Sequence, residues 1–118
     1  MTIYQRMDAI FETAGFPGFL LRWQATDASP EIPPLYAIYR VAREYEGLAA
    51  DDGPICEAYS VEIHLYAVGD PTAAKLALED ALFDEDFYVS RASELEPAQA
   101  QGGIQYHVRI DATYYDYL

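Results

Sequence analysis

Apolar and polar residues alternate most regularly between Tyr59 and Ala67. Tyr59, Val61, Ile63, Leu65 and Ala67 share one side of an extended chain, and Ser60, Glu62, His64 and Tyr66 share the other. One apolar and one polar face predict a strand over 55–67 in a sheet covered by helix on a single side. The stretch 104–115 repeats the pattern, with Ile104, Tyr106, Val108, Ile110, Ala112 and Tyr114 opposed to Gln105, His107, Arg109, Asp111, Thr113 and Tyr115. Between these stretches the period changes. Ala74, Ala77, Leu78, Ala81 and Leu82 recur at helical spacing, and Asp70-Pro71 supplies an N-cap followed by proline at the first helical position. The alanines imply close approach to the sheet. Asp84-Glu85-Asp86 stands at the helix end where the dipole disfavours acids, so the run helps to stop the helix and is otherwise solvated.

The same reading organises the rest of the chain. Residues 2–14 predict a helix opened by a capping box between Thr2 and Gln5 and closed by Gly15, with Ile3, Met7, Ile10, Phe11 and Ala14 on one face. Residues 19–23 form a short strand candidate in which Trp23 is a half-buried rim aromatic. Three prolines make 24–34 a loop. Residues 35–46 are strand-like, but their alternation leaves the buried face open. GLAADDGP at 47–54 suits the tip of a long β-hairpin joining 35–46 to 55–67. Residues 87–95 are a further strand and 96–103 a polar loop. The expected fold is α+β: a mainly antiparallel four-stranded sheet in the order 35–46, 55–67, 104–115, 87–95. Both helices lie on one face, and the right-handed crossover leaves room for the last strand to slot between its parallel pair.

Length and charge narrow the classes. With 118 residues the chain makes a single domain that can bury a core without staples. No apolar run approaches the ~18 residues of a membrane span. The first residues lack a signal-peptide layout, so the cytoplasm is expected. The net charge is −13, and both halves are acidic: four basic against nine acidic residues up to Ala58, three against eleven beyond it. Such a surface repels phosphate backbones and excludes a DNA-clamping module, but not a protein that lets DNA slide past.

Candidate chemistry is sparse. Cys56, the one cysteine, permits no internal disulfide; it reads as a buried thiol, and a catalytic role would need a histidine base nearby. Asp51 and Asp52 could bind a metal only with a third ligand, which no fixed spacing supplies. His64 and His107 fall on adjacent strands and the same polar face, near Glu62 and Asp111. They could form a metal or acid/base pair, though ordinary cross-strand pairing explains them as well. No phosphate-binding loop, zincin helix, nucleophile elbow or nucleotide fingerprint is present. No catalytic residue, cofactor or metal is therefore assigned. Eleven tyrosines, with Tyr114, Tyr115 and Tyr117 grouped near the C-terminus, suit protein–protein contact as well as half-buried strands.

Taken in order, these elements resemble the tail-completion or tail-terminator proteins of long-tailed phages and prophages. The resemblance rests on PPLYAIYRV at 33–41, AADD at 49–52, the Tyr59–Tyr66 strand and the Asp-Pro-opened helix at 70–82, and in order it extends over nearly the whole chain. The chain departs from the family in carrying Val68-Gly69-Asp70 where a lysine-rich turn is common. The resemblance implies a non-enzymatic virion structural protein, assembled in the host cytoplasm and placed at the tail–head junction. Such proteins form a ring, usually a hexamer, that caps the tail tube and joins it to the head connector, with DNA passing through and no membrane involved. Exposed sheet edges would close the ring, and acidic charge would keep the DNA channel from stalling ejection. On this reading Glu46, Asp51, Asp52, Glu62, His64, Tyr66, His107, Tyr115 and Tyr117 are candidate contacts with other copies or partner proteins. Deleting 50–53 at the hairpin tip is expected to leave a folded monomer that forms no rings. The competing class is a small metal- or ligand-binding domain, or an enzyme, using the polar face around His64, His107 and Arg109. A third is a regulator that binds one host protein through its tyrosines.

Overall fold

The computed structural model describes residues 1–23, 32–46, 56–100 and 102–117, and of 44–46, 56 and 117 only the backbone. Seven elements follow in order: α1 (Ile3–Ala14), β1 (Gly18–Leu20), β2 (Leu35–Glu46), β3 (Cys56–Val68), α2 (Thr72–Asp84), β4 (Tyr88–Ala100) and β5 (Gly103–Tyr117).

Local chemistry accounts for the helix ends. Thr2 Oγ1 accepts from Gln5 N at 3.1 Å while Gln5 Oε1 accepts from Thr2 N at 2.8 Å, the reciprocal pair expected for α1. Gly15 closes that helix at φ 91°. The helix α2 starts one residue later than expected, with Pro71 as its N-cap in place of Asp70. Asp70, just ahead of it, accepts at Oδ1 from Thr72 N at 3.0 Å and from the Thr72 hydroxyl at 2.6 Å. The end of α2 is a Schellman turn: Phe87 N donates to Leu82 O, and Asp86 N donates to Phe83 O. Asp86 takes the left-handed position there at φ 64°, where glycine is the easier residue.

The sheet has five strands in the order β1-β2-β3-β5-β4. The four-strand order expected from the sequence is present within it, and β5 lies between β3 and β4. Two expectations are corrected. The sheet is mixed, because β1 pairs parallel to β2, with Phe19 opposite Ile38. This first strand ends at Leu20, two residues after its start, rather than running over 19–23. Leu21 turns to φ 68°, and Arg22 N donates back to Leu20 O at 2.8 Å, a γ-turn that takes the chain out of the sheet. The second correction concerns 96–103, read as loop. Strand β4 continues to Ala100, opposite Gly103, and absorbs Pro97 in a register shift between Leu95 and Ala98. A proline at an edge-strand bulge costs no ladder bond, and the polar sequence there reflects an exposed strand.

Both helices lie on one face. Met7, Ile10 and Phe11 of α1 and Leu78, Ala81 and Leu82 of α2 form one core with Val61, Ile63, Leu65, Val108 and Ile110. Gly18 is required by this packing, since a Cβ there would overlap the Phe11 ring. The other face of the sheet carries no described helix.

Candidate functional site: the open face of the sheet

Strand register aligns the open face into rows running across β2, β3, β5 and β4. Tyr36, Tyr66, His107 and Leu95 form the first, and Ile38, His64, Arg109 and Ser93 the second. Arg40, Glu62, Asp111 and Arg91 form the third; Ala42, Ser60, Thr113 and Tyr88 the fourth. Among the described residues no helix covers this face, and its side chains make contacts within and between rows.

The first row is a stack. The rings of Tyr36 and Tyr66 lie 5.1 Å apart at 20°, and those of Tyr66 and His107 lie 4.4 Å apart at 19°. His64 joins it from the second row, with its Nδ1 2.6 Å from His107 Nε2. Its Nε2 is 3.3 Å from Glu62 Oε1. A neutral His64 that donates from Nε2 to Glu62 keeps Nδ1 as an acceptor, so His107 Nε2–H is the donor between the rings. Burial, and then the neighbouring His64, push the His107 pKa below its ordinary value.

Glu62 is the hub of the charged row. It accepts from Arg40 Nε, and Arg109 Nη1 lies 3.1 Å from its Oε1. Arg109 Nε also reaches Asp111 Oδ1 at 3.2 Å. The Arg40 guanidinium, with help from His64 and Arg109, holds the Glu62 carboxyl below its ordinary pKa despite opposing burial. On the outer strand, Arg91 Nε donates to Ser93 Oγ at 3.1 Å. The charged row and its neighbour Arg109 hold three arginines and two carboxylates. A chain of net charge −13 thus has a patch with a cationic excess in the middle of its open face. Beside it the small side chains of Ala42, Ser60 and Thr113 leave a hollow of about 550 Å³ bordered by Arg40, Glu62, Arg109 and Asp111.

Of the residues expected to act together, Glu62, His64, Tyr66 and His107 are brought into one contact network. Tyr115 shares their face opposite Ala58, one step beyond Thr113, and is 39% exposed. Glu46 and Tyr117 are both placed beside Cys56 by backbone pairing, and their side chains lie outside the description. Asp51, Asp52 and the hairpin tip 47–54 also lie outside the described residues. Sequence reasoning missed Tyr36, Arg40 and Arg91. The ambiguous alternation of 35–46 hid the first two, and counting register from the expected hairpin, 46 against 55, would have set Arg40 opposite Val61. The observed pairing is Glu46 with Cys56, which brings Arg40 opposite Glu62 and Tyr36 opposite Tyr66. Arg91 follows a register shift after Val89, which pattern alone does not place.

Several tyrosines are used within the fold. Tyr36 and Tyr39 are buried, Tyr114 packs against Phe87 at 5.2 Å, and the Arg6 guanidinium sits 4.4 Å over the Tyr114 ring. Tyr59 donates to Glu57 Oε2 at 2.7 Å, and Arg43 meets the other oxygen of that carboxylate at 2.6 Å. Tyr88 is 65% exposed.

Among the described residues, no group of three or more His, Cys, Asp or Glu side chains is placed to hold a metal ion. Both ring nitrogens of His64 are engaged, so a metal there would displace a hydrogen bond. No described helix is long and apolar enough to cross a membrane. In comparisons with known proteins, no family model and no curated protein matches the chain.

Proposed function

We propose that this chain is a structural subunit of a phage or prophage virion. Copies of it assemble into a ring, of six on the pattern of the tail-terminator proteins it resembles, that caps the tail tube and joins it to the head connector. The observation that carries the reading is the face of the sheet that no described helix covers. Its side chains are held by one another in stacked and ion-paired rows, so the face is ordered before anything binds it. Preordered side chains lose little conformational entropy on association, which suits a surface that meets another protein. The elements supporting the resemblance are consistent with this use: the long antiparallel pair β2 and β3, the helix that follows Asp70-Pro71 and the aromatic end of β5. The acidic excess elsewhere is compatible with DNA passing through without binding.

The test is assembly and its target. Light scattering and electron microscopy of the purified protein should give closed rings, and the rings should cosediment with tail tubes at saturation of one ring per tube end. A protein that stays monomeric at every concentration and does not bind tubes overturns the proposal.

A further inference from the structure

The most exposed large side chains of the helical layer belong to α2. Phe83 is 77% exposed and Leu76 is 53% exposed. They are seven residues apart, about 10 Å along the axis, and project from the side of the helix opposite Leu78 and Leu82. They therefore point away from the sheet. Asp80 lies between them and Asp84 beside them, both exposed. The last turn of α2 carries no basic residue to balance these acids against the helix dipole. The result is an apolar ridge edged with uncompensated negative charge.

The hollow on the open face has the complementary character. Small side chains, Ala42, Ser60 and Thr113, line its floor, and Arg40 and Arg109 stand at its margin, with side chains 69% and 38% exposed. A space of about 550 Å³ is within the range that takes a drug-sized group, enough for an aromatic ring and the carboxylates flanking it. The outer edge of the sheet is a poorer contact. β4 is interrupted by two register shifts and Pro97, devices that discourage strand addition.

We propose that the Phe83 ridge of one copy docks in the hollow of the next, with Asp80 and Asp84 meeting Arg40, Arg91 and Arg109. This contact deepens the ring reading, on which it rests, by naming the surfaces that join neighbouring copies. Ridge and hollow lie on opposite sides of the molecule, so the contact is head-to-tail; it gives a ring where the rotation from one copy to the next closes and a filament where it does not. The broad faces suffice: the molecule measures 57 × 31 × 21 Å, and a stable interface needs only about 800 Å² per partner. The open face is then a subunit contact and not the wall of a DNA channel, where its arginines would hold phosphates.

The experiment uses Phe83→Glu, which spoils the ridge, and Ala42→Glu, which spoils the hollow, with wild-type circular dichroism as the folding check. Each variant alone should be monomeric by light scattering at concentrations where the wild type forms rings. Mixed in equal amounts they should form a dimer that grows no further, because one supplies an intact hollow and the other an intact ridge. If Ala42→Glu does not fold, Arg91→Glu on the exposed edge strand takes its place. Rings that survive both substitutions overturn this contact and leave the ring reading standing. Two monomeric variants whose mixture stays monomeric overturn it equally, and a wild type that never assembles removes both proposals.

Discussion

The two faces of β3 carry successive residues of one strand and are ordered by different forces. Val61, Ile63 and Leu65 are no more than 2% exposed and pack under both helices. Glu62, His64 and Tyr66 are only half-buried and are held by an arginine, a second histidine and two rings. Burial is non-directional and scales with the area removed from water. Hydrogen bonds and stacking depend on geometry and contribute less apiece. Stability should therefore be concentrated on the covered face, and specificity for a partner on the open one.

The largest effect should come from Leu65→Ala, which leaves a cavity under the helices and should cost about 2–5 kcal/mol in urea unfolding. Its neighbour on the other face, His64→Gln, should cost less than about 1.5 kcal/mol, since a half-buried polar pair is exchanged for another polar group. Equal losses at the two positions would break the distinction between the faces. Gly18→Ala should follow, at about 1–3 kcal/mol, because the added methyl forces the buried Phe11 ring to move.

The open face should instead reveal itself through pH. The folded protein binds a proton at His107 less readily than the unfolded chain does, whose imidazole keeps the ordinary value of 6.5. Stability from this group is complete above 6.5 and is lost as pH falls through the depressed folded value. The Glu62 carboxyl acts lower. Its stabilisation is present above 4.5 and lost as pH falls through its own depressed value. Urea midpoints followed from pH 8 to 3 should thus fall in two windows. His107→Gln should remove the upper one, and Glu62→Gln should shrink the lower one, which Glu57 and Asp70 share because their carboxyls are also held below the ordinary value. A wild-type profile flat between pH 7 and 5 would contradict the histidine assignment. The smallest effect should be a gain. Asp86→Gly relieves a left-handed residue and removes an acid from a helix C-terminus, and should raise stability by about 1 kcal/mol without touching either face.

How much was legible depended on how local the determinant was. The start of α1 could be read because Thr2 and Gln5 satisfy backbone donors three residues apart, and that of α2 was read one residue early because Asp70 holds Thr72 N from just ahead of the Pro71 cap. The strand order could be read because each alternating stretch declares its faces and the crossover has one favoured hand. Strand β1 was misjudged in length because a single left-handed residue, Leu21, ends it. The far half of β4 was missed because Pro97 and the polar residues around it signal a loop unless a bulge accommodates them. Glu62, His64 and His107 were grouped in advance, since their strands alternate cleanly; Arg40 was not, since its strand does not.

By itself the amino-acid sequence determined the α+β class, the caps of α1, the one-sided sheet and the acidic balance, because periodicity, capping chemistry and charge are properties of neighbouring residues. The tertiary structure alone decided the parallel pairing of β1, the hub made of Glu62 between Arg40 and Arg109, and the hollow beside it. Each of these depends on which residues stand opposite across strands, a register set by packing over the whole sheet and not by any one stretch of chain.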